Sequence, residues 1–140
     1  MVRPALCLIA AASLSGCKPT TPGPLTQRQA IAISAAVSRC ASAGDKPGPL
    51  LSAGDLPGAS QAAQDAQSEC SGAEREIFTA SAGNPKGETC RHAVMAIGDA
   101  QASIVSALDA PTPSNQAATL KALNLATGVV AECRAALSTS

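Results

Sequence analysis

Four cysteines constrain this chain more than any other feature. Cys40, Cys70, Cys90 and Cys133 each fall on a separate apolar stripe of helical period. Residues three or four apart share one face of a helix, so each thiol is aimed where its stripe is aimed. The first stripe is Ala30, Ile33, Val37 and Cys40, and the second is Ala63, Ala66, Cys70, Ala73, Ile77 and Ala80. The third is Cys90, Val94, Ile97, Gln101, Ile104 and Leu108, widened by Val105. The fourth is Leu120, Leu123, Ala126 or Thr127, Val130, Cys133 and Leu137.

Start and stop signals bound these helices. Thr26-Gln27-Arg28-Gln29 reads as a capping box opening the first helix, and Gly44 as its stop. The second is expected from Ala59 or Ser60 to Ala82, ended by Gly83-Asn84-Pro85. The third is expected from Glu88 to Asp109, and Pro111 and Pro113 break the chain after it. Ser114 would cap a fourth helix reaching Ser138. Short connections after the second and third helices make those neighbours antiparallel. The expected fold is all-α: an antiparallel bundle of four helices, or three plus a short crossing helix, stapled by two disulfides.

Four cysteines allow three pairings. In an up-down bundle, Cys90 and Cys133 share one end. Cys40 and Cys70 then pair with an offset of roughly 10 Å at 1.5 Å per residue, less than the other pairings leave. A later start of the second helix, or a slide of the first, would close it. Free buried thiols or a four-cysteine metal site are the alternatives, but no Cys-x-x-Cys spacing supports a metal. Bridges also suit the composition. Alanine fills the stripes, and alanine favours helix while burying little area. A small core of that kind needs another source of stability.

The N-terminus supplies an address. Arg3 precedes an apolar run from Ala5 to Leu14, then Ser15-Gly16-Cys17. Ten residues are too few for a span, which needs about 20, but they suit an export signal. Leu14-Ser15-Gly16-Cys17 resembles the lipobox of bacterial lipoproteins. That resemblance covers about the first 18 residues and implies that Cys17 becomes the lipidated first residue of the mature chain. An ordinary secretory signal containing a cysteine is the competing reading. The implied division is a signal peptide over 1–16, a lipidated cysteine with a Pro/Thr-rich tether over 17–25, and a helical domain over 26–140. Several acyl chains on Cys17, palmitate among them, would anchor the chain stably to a membrane. Lys18 follows the cysteine where inner-membrane retention favours Asp, which points to the outer membrane, facing the periplasm. Cys7 falls in the discarded signal.

Charge and aromatic content exclude several functions. Removing Arg3 from the ten basic side chains leaves nine against ten acidic ones, so no basic field recruits nucleic acid. Phe78 is the only aromatic residue, which argues against stacking on sugars or bases.

Little catalytic chemistry is legible. His92 stands two residues from Cys90, and a Cys/His nucleophile pair at that spacing points to different helix faces. Glu69, Glu74, Arg75 and Glu76 lie on a charged face of the second helix, readable as a solvated surface or a partner-binding face. The segment 45–58 is expected to be a loop and a second partner-surface candidate. It belongs to a repeat: Ser42-Ala43-Gly44-Asp45, Ser52-Ala53-Gly54-Asp55 and Ser81-Ala82-Gly83-Asn84. Asp45 and Asp55 could meet a cation, but two carboxylates fall short of a calcium loop, and Gly after a helix, then Asp or Asn and Pro, is how helices stop and chains turn. No catalytic residue, cofactor or metal is expected. The expected function is a membrane-anchored envelope lipoprotein whose helical domain binds another macromolecule, a protein partner, in an inhibitor, immunity, exclusion or envelope-maintenance role. The alternative is a carrier of a small apolar ligand or lipid between the helices.

Overall fold

The computed structural model describes residues 21–139. Cys17, Cys7 and the signal-like run lie outside the described residues. The described chain is all-α, with four long helices packed against one another and one short helix. They are α1 (Gln27–Gly44), α2 (Pro47–Ser52), α3 (Leu56–Ser81), α4 (Pro85–Asp109) and α5 (Pro113–Ser138).

The helices begin where side chains satisfy their first N–H groups. Thr26 and Gln29 form the expected reciprocal capping box on α1. Asp55 caps α3 by accepting from Gly58 N, and Asn84 caps α4 by accepting from Lys86 N. Thr112, not Ser114, caps α5. The starts of α3, α4 and α5 differ from expectation for one reason. Pro57, Pro85 and Pro113 sit in the first turn, where a missing N–H costs no hydrogen bond, so these prolines open helices that the sequence reading had them delay.

The segment 45–58 is not a continuous loop, because Pro47–Ser52 forms α2 with Pro47 buried. Gly44 does not stop α1 in a left-handed turn either; Asp45 and Lys46 remain right-handed and lead into α2. Gly44 is small for another reason. A Cβ there would stand 2.9 Å from the Ile97 side chain on α4.

Helix α1 runs antiparallel beside α3 and does not cross it. Gln29 Nε2 donates to Ala80 O at one end, and Cys40 is bonded to Cys70 farther along. The disulfides are Cys40–Cys70 and Cys90–Cys133, each with Cα atoms 4.6 Å apart. The expected offset is closed by a slide of α1 towards the C-terminal part of α3. Helix α3 starts earlier than expected, not later, and α2 covers the stretch that α1 leaves free.

The core holds Ile33, Val37, Cys40, Cys70, Ile77, Cys90, Val94, Ile97 and Cys133, with Ala36, Ala73, Ala93 and Ala100 between them. The first three stripes are buried largely as expected. The fourth is buried only in part. Ala126 and Cys133 are buried, whereas Leu120 is 65% exposed and Leu123 38% exposed. Helix α5 packs mainly on α4 and touches α1 little, so its N-terminal half lacks a neighbour over the leucine face.

The last tether residues are docked. Leu25 is buried, and Asn84 Nδ2 donates to Gly23 O at 2.7 Å. The chain therefore enters the domain at the end carrying the α3–α4 turn.

Candidate interaction surface

The charged residues of α3 do not form one face. Glu69 and Glu76 are seven apart and turn towards α1, where Arg39 bridges both at 3.2 and 2.5 Å. Those contacts raise the Arg39 pKa above its ordinary value, the hydrogen bond that Arg39 donates to Glu76 first and the one it donates to Glu69 second. Glu74 turns the other way, towards α4, and lies 3.3 Å from Arg91 Nε. Arg91 also pairs with Glu88 at 2.8 Å. Arg75 is exposed between the two clusters. Three of the four charged residues expected to meet a partner thus hold helices together on opposite flanks of α3. The Arg39 pairs are exposed and contribute little to stability, whereas the Arg91 pairs are half-buried.

The Arg91 flank also carries apolar groups. Phe78 is 62% exposed, and the Arg91 guanidinium lies 5.6 Å from its ring centroid. That distance is within cation–π range. Met95, one turn along α4 from Arg91, is 41% exposed. Beside it lies a hollow of about 220 Å³ lined by Gln67, Ser71, Glu74, Met95, Gly98 and Asp99. Gly98 keeps it open, because no side chain rises there and the nearest neighbour of an added Cβ would be Cys70 Cβ at 3.7 Å. The α3–α4 surface therefore carries an aromatic ring, a cation held by two carboxylates, a flexible thioether and a hollow. The sequence held the signal: Phe78 stands one position off the Ile77 stripe.

Two further clefts lie between helices. One of about 850 Å³ separates the first half of α1 from the end of α5, lined by Leu25, Ala30, Ile31, Ala35, Arg134 and Leu137. The other, of about 460 Å³, is lined by Arg39, Lys46, Asp65 and Glu69 among others, where α1 gives way to α2.

The remaining candidates are accounted for. Cys90 is disulfide-bonded and fully buried, so it presents no thiolate to His92, which is exposed. Likewise, bridged cysteines supply no four-cysteine metal site. Asp55 spends its carboxylate on the α3 cap, accepting from Gly58 N at 3.0 Å. Among the described residues, no three His, Cys, Asp or Glu side chains group as a metal site would need. No described helix is long and apolar enough to cross a membrane.

Comparison with known proteins adds no relative: no family model, curated protein or solved structure matches the chain.

Proposed function

We propose that this chain is an envelope lipoprotein, anchored through lipidated Cys17, whose helical domain binds a protein partner through its α3–α4 surface. The observation that carries the partner reading is Phe78, the one aromatic residue of the sequence, left 62% exposed beneath Arg91. Aromatic and arginine side chains dominate binding energy at protein interfaces, and methionine adapts to irregular partners. Placed together on a rigid pair of helices, Phe78, Arg91 and Met95 have the chemistry of such an anchor. The address rests on Leu14-Ser15-Gly16-Cys17 and the proline-rich tether that follows. Two buried disulfides suit a chain exported to an oxidising compartment. Inhibition, immunity, exclusion and envelope maintenance are the roles open to a binding module so placed. The test is crosslinking in envelopes of the producing cell, with the Phe78→Ala chain beside the wild type. A partner captured by the wild type and lost with Phe78 supports the reading.

The ligand-carrier reading has one observation in its favour, the α1–α5 cleft of about 850 Å³ with its apolar walls. Its volume matches a small-molecule site. Extraction of the purified chain with organic solvent, followed by mass spectrometry, would reveal a stoichiometric apolar ligand if this reading holds.

A further inference from the structure

The sequence repeat has an odd member. Asp55 and Asn84 both use their side chains to cap the next helix. Asp45, in the same position of the repeat, caps nothing, since α2 has no side-chain cap bond. Among the described residues its carboxylate has no ion pair. It lies instead on the rim of a pocket of about 120 Å³ between the end of α1, the middle of α4 and α5.

The polar groups around that pocket are richer in acceptors than in donors, the one spare donor being the second N–H of the Gln101 amide. Gln101 lines it and is 2% exposed. Its Nε2 donates to Gly44 O at 3.2 Å, which leaves Oε1 buried with no partner. The reverse orientation of the amide would set two oxygens against each other. Thr127 donates its hydroxyl proton to Leu123 O at 3.0 Å, so lone pairs are what it has left to offer. The Asp45 N–H is spent on Ala41 O at 3.1 Å, and the Lys46 N–H on Ala43 O at 3.2 Å. The pocket also sits at the negative end of the α1 dipole, and the last turn of α1 has no basic residue to complement it. Ile97, Ala100, Leu123 and Ala126 supply apolar walls.

A buried acceptor without a partner is costly, and a ligand that repairs it must donate. A group with several donors and no need of an acceptor suits a pocket in which acceptors outnumber donors. An ammonium has three donors and no acceptor, and its alkyl stem suits the apolar walls. The volume is below that of a drug-sized site and suits one side chain or a short amine. We propose that this pocket binds a primary alkylammonium, with Gln101 Oε1 and the Asp45 carboxylate as its acceptors. The group could be carried by a free amine or by a lysine side chain. The site is separate from the α3–α4 surface, and its failure would leave the role of Phe78 untouched.

The test is an amide-resolved NMR titration of the disulfide-intact chain in non-ionic detergent, with n-butylammonium chloride. Saturable shifts are expected at the Gln101 side-chain amide, Gly44 and Thr127, and not with n-butanol. Asp45→Asn, an exposed change, should weaken binding about two- to fivefold, the range of a solvent-screened ion pair. Gln101→Met should weaken it further, and Asp45→Asn keeps the test decisive if the core variant fails to fold. Nα-acetyl-lysine methylamide distinguishes the sources: binding at least as tight as butylammonium identifies a side-chain site, and exclusion identifies a free-amine site. Shifts that do not saturate, shifts matched by n-butanol, or an affinity unchanged in both variants would overturn the proposal.

Discussion

Cys40 and Cys70 have Cα atoms 4.6 Å apart, although Cys40 stands four residues before the end of α1 and Cys70 fourteen residues beyond the start of α3. About ten residues of helix, roughly 15 Å, separate those positions from equal depth. The structure absorbs the difference between the helices with α2, which turns the chain back along α3. The bridge thus fixes the register of α1, and with it the reach of Arg39 to Glu69 and Glu76.

Removing a bridge should be expensive. In the chain-entropy account, loops of 30 and 43 residues each contribute roughly 3–4 kcal/mol. That is much of the stability of a small domain. Paired alanine substitution at Cys40 and Cys70 should lower the urea midpoint by the equivalent amount. Loss of both bridges should leave no cooperative transition by circular dichroism.

Gly87 should tolerate no side chain. An added Cβ would stand 2.0 Å from Ser81 Cβ and 3.2 Å from Ser81 Cα, where α4 leaves the turn. Overpacking of this kind costs about 1–3 kcal/mol. Gly72 meets nothing within 4 Å in the middle of α3, so Gly72→Ala should instead stabilise by about 0.5–1 kcal/mol. Opposite signs for the two substitutions in one denaturation series are the expected result.

Ala82 carries φ +46° and ψ +40° at the end of α3, in the left-handed region. A Cβ there costs roughly 1–2 kcal/mol. Ala82→Gly should therefore raise stability, by something under about 1 kcal/mol once the added freedom of the unfolded chain is counted. A lowered melting temperature would show that the Ala82 side chain contributes contacts that outweigh its backbone conformation.

Much of this fold was legible because helical period carries burial directly. Ile33, Val37, Ala63, Ala66, Ile77, Val94 and Ile97 are inside as their spacing required. The disulfide pairing was legible from which residues share an end of an up-down bundle. Two things were not. Pro57, Pro85 and Pro113 break a helix interior but open a first turn, and the residue alone does not say which. Leu120 and Leu123 have the right period for burial, yet period cannot say that α1 stops short of α5. The surface was harder still. Glu69, Glu74 and Glu76 are near neighbours in sequence, but α1 and α4 draw them apart to Arg39 and Arg91. Only the packed helices show that the Arg91 pairs lie beside Phe78.

The lipid anchor predicts a simple fractionation. Cys17→Ser should move the chain from the membrane pellet to the soluble fraction, and should abolish labelling by a radioactive fatty acid. A chain that remains membrane-bound and labelled after Cys17→Ser would place the acyl group elsewhere.

The central claim is that the α3–α4 surface contacts a protein in the envelope. The most direct measurement places a photo-crosslinking amino acid at Met95 in the producing cell, with and without Phe78→Ala. The account predicts one discrete crosslinked protein whose yield falls at least tenfold when Phe78 is lost, the size of an interface anchor worth about 1.4 kcal/mol or more. No discrete product at Met95, or one whose yield is indifferent to Phe78, would contradict it.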